Sequence, residues 1–84
     1  MPIEWTSSAA KHRISQEDAL HAMLNATGSE EVSGARPGQT NTVYVGHPHA
    51  QTDRYIEVIV ATWPPNNMVI FHVNHLTDLY RHLT

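Results

Sequence analysis

The chain has 84 residues, with eight acidic side chains against five lysines and arginines, seven histidines and no cysteine, for a net charge of −3 when the histidines are neutral. A chain this short forms one domain, residues 1–84, that buries only about 60% of its unfolded surface, and the lack of cysteine excludes a disulfide framework, a thiolate zinc site and a cysteine nucleophile while fitting a reducing cytoplasm. The acidic balance argues against nonspecific coating of nucleic acid but leaves room for one focused site, because imidazoles with a reference pKa near ~6.5 become cationic around neutrality under modest local fields.

The opening, "MPIEWTSSAAKHRISQEDALHAMLNATG", predicts a short helix from about Thr6, a break near Arg13 and Ile14, and then a second helix. Ser15 followed by Asp18 forms a capping-box pattern with Asp in place of Glu, and Glu17 and Asp18 suit the positive end of a helix dipole. Leu20, Met23, Leu24 and Thr27 fall on one stripe with Ala19 beside them, and Gly28 is a natural stop. Trp5 is expected to anchor the N-terminal segment. The stretch "SEEVSGARPGQT" reads as a loop with a short edge strand around Val32. Strands follow: "TVYV", the turn-rich "GHPHAQTD", "RYIEVIVATW", the turn "PPNN" and "MVIFHVN" make an antiparallel meander. Thr77 or Asn74 is placed to cap a closing helix of about two turns. The longest apolar run, Val58 to Ala61, falls far short of the ~20 residues that span a bilayer, so no membrane association is expected.

Period two sorts the strand faces. Ile56, Val58 and Val60 share one side of their strand, with Tyr55, Glu57 and Ile59 opposite; Val69, Phe71 and Val73 share one side of the last strand, with Met68, Ile70, His72 and Asn74 opposite. The all-apolar sides are expected to face the helices, leaving a mixed open face that holds Tyr55, Glu57, His72 and Asn74. The fold class is α+β: two N-terminal helices, an antiparallel sheet of three or four strands, and a short C-terminal helix.

That polar set has the parts for metal-independent RNA cleavage, which needs a base for the 2′-OH proton, a cation or donors for the phosphate, and an acid for the leaving 5′-oxygen. Glu57 or His72 suits the base, His72 or His75 the acid, Arg81 and Arg54 the phosphate, and Tyr55 or Tyr80 stacking or donation, with Asn74 beside them as an RNA contact. Each residue also has a plain structural role to offer. Glu57 fits a solvated strand position, His72 a buried hydrogen bond, and Tyr80, at helical spacing from Leu76, a core position; His12 and His21 read as structural or partner-facing. His47 and His49 with His72 and His75 have spacings that invite zinc, but without cysteine or a definite carboxylate partner no metal is assigned. No cofactor is expected.

The order of elements and several segments resemble a known family. "IEWT" (residues 3–6), "KHRISQEDA" (residues 11–19), "RYIEVIV" (residues 54–60) and "VIFHVNHLTDLYRHL" (residues 69–83) are similar to BrnT-type toxins, members of the RelE-like ribonuclease toxins of bacterial type II toxin–antitoxin pairs. The family pattern has an aromatic-rich opening, a Lys-His-Gly-Val-Ser-like helix junction, a glycine-rich hairpin and a closing strand and helix. In this chain Arg13 stands at the junction glycine, and Asn74 and His75 stand where the family has Arg and Lys after the closing strand. The resemblance implies an RNA-cleaving toxin held inactive by a cognate antitoxin, with contact to DNA only through the antitoxin. A sheet edge near Val43 and Val45 is then expected to pair with a second copy or an antitoxin strand. Two other readings stand beside it: a binding module that has lost the nuclease, in keeping with the acidic charge, and a toxin that acts on another target.

Overall fold

The computed structural model describes residues 3–34 and 36–84. It is an α+β fold built on a five-stranded mixed sheet. The strands are β1 (Glu4–Trp5), β2 (Gly28–Ser33), β3 (Thr40–Gly46), β4 (Ile56–Trp63) and β5 (Asn67–His75), in the spatial order β1-β5-β4-β3-β2. Strands β2 to β5 are an antiparallel meander, whereas β1 runs parallel to β5, with Trp5 opposite Ile70. The helical content is smaller than the sequence suggests: a 3₁₀ turn at Ser7–Ala10, one α-helix, α1 (Gln16–Leu24), and a 3₁₀ helix at Asp78–Leu83. The "SEEVSGARPGQT" stretch, of which Ala35 lies outside the described residues, carries the expected edge strand around Val32, but that strand is longer than a short one, running from Gly28 to Ser33.

Helix α1 begins as its sequence dictates, with the Ser15 hydroxyl accepting a hydrogen bond from the Asp18 amide at 3.1 Å. It rests on the sheet through its smallest side chains, because Ala19 and Ala22 are fully buried whereas Leu24, expected in the core stripe, is 80% exposed. The reason lies across the interface: a Cβ on Gly46 would come 2.5 Å from the Ala22 carbonyl oxygen, so helix and sheet meet backbone to backbone there. Ala9, Ala19 and Ala22 then close over Ile56, Val58, Val60, Ile70 and Val73, with Trp5 packed at the margin as the N-terminal anchor. Gly28, read as a helix stop, instead opens β2, and its missing Cβ admits the backbone of Leu83.

Simple alternation fails in β5. Ile59 pairs with His72 but Val60 pairs with Ile70, so Phe71 is an extra residue that shifts the phase of the strand. Ile70 and Val73 therefore point to the same core, contrary to the period-two assignment, while His72 and Asn74 share the opposite face with Glu57 and Val69. That second face is not bare. The C-terminal segment lies over it against β2 and β3, and Val43 and Val45 are fully buried within an interior strand, so the edge strand on that side of the sheet is β2 and not the Val43–Val45 stretch. Among the described residues, no helix is long and apolar enough to cross a membrane.

Candidate functional site

Glu57 is the chemical centre of the molecule because it is a carboxylate placed where the sheet is closed. Its side chain is only 2% exposed, beneath the C-terminal segment. An ionised carboxylate there needs compensation, and it accepts three hydrogen bonds. Thr77 donates its backbone N–H at 2.8 Å and its hydroxyl at 2.7 Å to Oε1, and His72 donates Nε2–H to Oε2 at 2.8 Å. Thr77 occupies the N-cap position of the C-terminal 3₁₀ helix, but its hydroxyl makes no cap and serves the carboxylate instead.

The pair has a defined polarity. With Nε2–H directed to Glu57, the neutral His72 ring keeps its lone pair on Nδ1, and at 32% side-chain exposure the ring is reachable from solvent. This is a carboxylate-oriented imidazole: both Glu57 oxygens are occupied and its side chain is sealed from solvent, so what it does geometrically is hold the His72 ring.

A second imidazole stands beside the first. The rings of His12 and His72 are edge to face with centroids 6.4 Å apart. His12 comes from the segment between the first 3₁₀ turn and α1, which is fastened to β5 by the Ser8 hydroxyl donating to the Phe71 carbonyl at 2.8 Å and by the Thr6 amide donating to the Ile70 carbonyl at 3.1 Å. The bulge that exposes the Phe71 carbonyl is thus also part of what brings His12 to His72. Sequence reasoning read His12 only as structural or partner-facing and Thr77 only as a cap; nothing local marks either for this site, because both act across the sheet.

The remaining candidates divide between two places. His75 pairs with Ile56 on the α1 side of β5, so it does not converge with His72 as an acid. It lines a cavity of about 150 Å³ together with His12, Arg13, Ile14, Asp18, Pro48, Arg54 and Ile56. Arg54 reaches that cavity while its backbone is held by its own amide donating to the Thr52 hydroxyl and by His47 Nδ1–H donating to its carbonyl. Tyr55 stacks on the His47 ring at 4.3 Å, and its carbonyl accepts the Leu76 amide. Asn74 accepts from the His75 amide at 2.8 Å, a local bond within β5. Arg81 lies on the C-terminal 3₁₀ helix, largely exposed and paired with the exposed Asp78. Tyr80 packs near the Glu57 carboxylate, and burial, then Glu57, then Glu30 push its phenol above the usual value of 10.0.

The zinc spacing does not assemble. Among the described residues, no three histidine or acidic side chains are grouped to hold a metal, and the His47 and His49 rings are engaged in bonds to the Arg54 carbonyl and from the Gln51 amide. A larger groove, about 450 Å³, lies at the far end of the sheet around Trp63, Pro64 and Val69, where Arg36 is the lone titratable side chain. Comparison with known proteins adds nothing to the geometry: no protein-family model, no curated protein and no solved structure matches this chain.

Proposed function

We propose that this protein is a metal-independent RNA endonuclease of the toxin type, neutralised in the cell by binding of a cognate antitoxin. The observation that carries the reading is the buried Glu57 carboxylate holding a solvent-reachable His72, with the His12 imidazole 6.4 Å away. Two imidazoles at that separation suit proton transfer on either side of one phosphate. His72 Nδ1 takes the 2′-OH proton, the 2′-oxygen attacks the adjacent phosphorus, and the bond to the 5′-oxygen breaks as protonated His12 supplies its proton. The products are a 2′,3′-cyclic phosphate and a 5′-hydroxyl. The exposed Arg81 is the cation available to the scissile phosphate, Arg54 lies in the neighbouring cavity, and Tyr80, kept protonated, is a donor.

The resemblance to BrnT-type toxins gains support from Arg13. This residue stands where the family has glycine, and its φ of 59° is the left-handed region that favours glycine. In the toxin reading the antitoxin covers the His12–His72 surface, and a strand of it can extend the sheet at β2.

The test is expression without a partner, paired with RNA cleavage by the purified protein. We expect growth arrest and RNA fragmentation from the parent, and a loss of both, by roughly 100-fold or more in rate, in a folded His72→Ala variant. Intact RNA with the parent, or equal toxicity of His72→Ala, would sink the nuclease reading. A binding module that has lost catalysis is the second reading, favoured by the net charge of −3. It predicts expression without arrest.

A further inference from the structure

The cavity on the α1 side of β5 is distinct in composition from every other concavity described above. Two guanidiniums, Arg13 and Arg54, and two imidazoles, His12 and His75, surround it, against one carboxylate, Asp18, on a floor of Ile14, Pro48 and Ile56. These groups come from three separate parts of the chain: the junction before α1, the end of the loop after β3, and the end of β5. In a chain with five lysines and arginines in all, two of them meet at one small cavity. Among the described residues neither enters an ion pair, whereas Arg81 does. Arg13 also stands in the left-handed region, a conformation that disfavours a residue with a side chain and that glycine would relieve.

We propose that this cavity is a phosphate-binding subsite, and that in the nuclease reading it holds an RNA backbone phosphate next to the scissile one. A volume of about 150 Å³ admits a phosphate group but not a base with its sugar. Guanidinium forks bind phosphate oxygens in two-point contacts, and imidazoles add donors, so the lining chemistry matches an anion with several oxygens. His12 belongs to both the cavity wall and the imidazole pair, which ties the subsite to the reacting phosphate. The subsite also answers how an acidic protein holds RNA: two of its five lysines and arginines are gathered at one point.

The RNA part of the proposal rests on the nuclease reading, and the phosphate part does not. The experiment is a titration of isotope-labelled protein, following the imidazole signals of all seven histidines, with inorganic phosphate and, separately, with a 2′-O-methyl oligonucleotide that cannot be cleaved. Chloride at matched ionic strength is the control. Saturable shifts confined to His12, His75 and the adjacent His72 are expected with both ligands, weakened roughly tenfold in Arg54→Ala and in Arg13→Gly. Arg13→Gly keeps a backbone suited to its φ, so its loss of binding cannot be ascribed to misfolding. Equal shifts with chloride, or wild-type binding by both variants, would overturn the subsite. Binding of phosphate without the oligonucleotide would overturn RNA as its source. Cleavage of RNA that survives both substitutions at full rate would discard the subsite and leave the nuclease standing, whereas oligonucleotide binding without any RNA cleavage would do the reverse.

Discussion

At the scale of single residues the account turns on Glu57 and its three donors. Glu57→Gln tests it sharply, because one amide oxygen cannot accept from both Thr77 and His72, and its NH₂ would face a donor on whichever side it lay. We expect a loss of about 1–3 kcal/mol in denaturant unfolding, and a fall in cleavage rate larger than any change in substrate affinity. Thr77→Val should cost about 1 kcal/mol while leaving the backbone donor in place. Tyr80 gives a pH prediction. Its phenol is raised by burial and by the Glu57 and Glu30 carboxylates, so above pH 10 the unfolded chain loses that proton before the folded one does. Stability contributed by the protonated phenol is therefore full below pH 10 and falls as pH rises through the folded value. Thermal unfolding between neutral and alkaline pH should show Tyr80→Phe losing less stability than the parent, and identical slopes would contradict the assignment. The Glu57–His72 pairing was itself legible in the sequence, since alternation put both on one face. That Glu57 is sealed was not legible, because the cover comes from a C-terminal segment whose docking depends on Gly28, some fifty residues earlier.

Among the elements, what alternation and capping rules predict is what local chemistry decides. Ser15 caps α1, and β3, β4 and β5 run where the apolar period puts them. Two features escaped that logic. The extra residue at Phe71 has no local marker, and it turns Ile70 rather than Val69 to the helix layer while Val73 stays where alternation puts it. The edge strand expected only briefly around Val32 runs over Gly28–Ser33, polar residues that read as loop, and pairs along its whole length with β3. Interface geometry also trimmed the expected helix stripe: Ala19, Leu20 and Met23 face the core as expected, but Ala22 rather than Leu24 meets the sheet at Gly46. Gly46→Ala should therefore cost about 1–3 kcal/mol by forcing α1 off the sheet, measured as a drop in the unfolding midpoint. A change within about 0.5 kcal/mol would mean the helix sits less tightly than described. Arg13→Gly, by contrast, should leave stability nearly unchanged. Relief at φ 59° offsets the greater freedom that glycine gives the unfolded chain.

Across the whole molecule, the two sides of the sheet acquire different work. The α1 side carries the larger apolar core and, at its end, the cationic cavity; the other carries the carboxylate-oriented imidazole under the C-terminal segment, and His12 stands near both. With cations gathered at one cavity, the proposed RNA contact involves few phosphates, so net acidity is compatible with it and affinity should fall only gently with salt. The central claim is that His72, oriented by Glu57, activates a ribose 2′-hydroxyl. It is tested most directly by the end groups of the products from one RNA and from its counterpart lacking the 2′-hydroxyl at the cleaved position, read by mass spectrometry. The account predicts a 2′,3′-cyclic phosphate and a 5′-hydroxyl from the RNA and no cleavage of the deoxy counterpart; scission of the deoxy strand, or products ending in a 5′-phosphate, would contradict it.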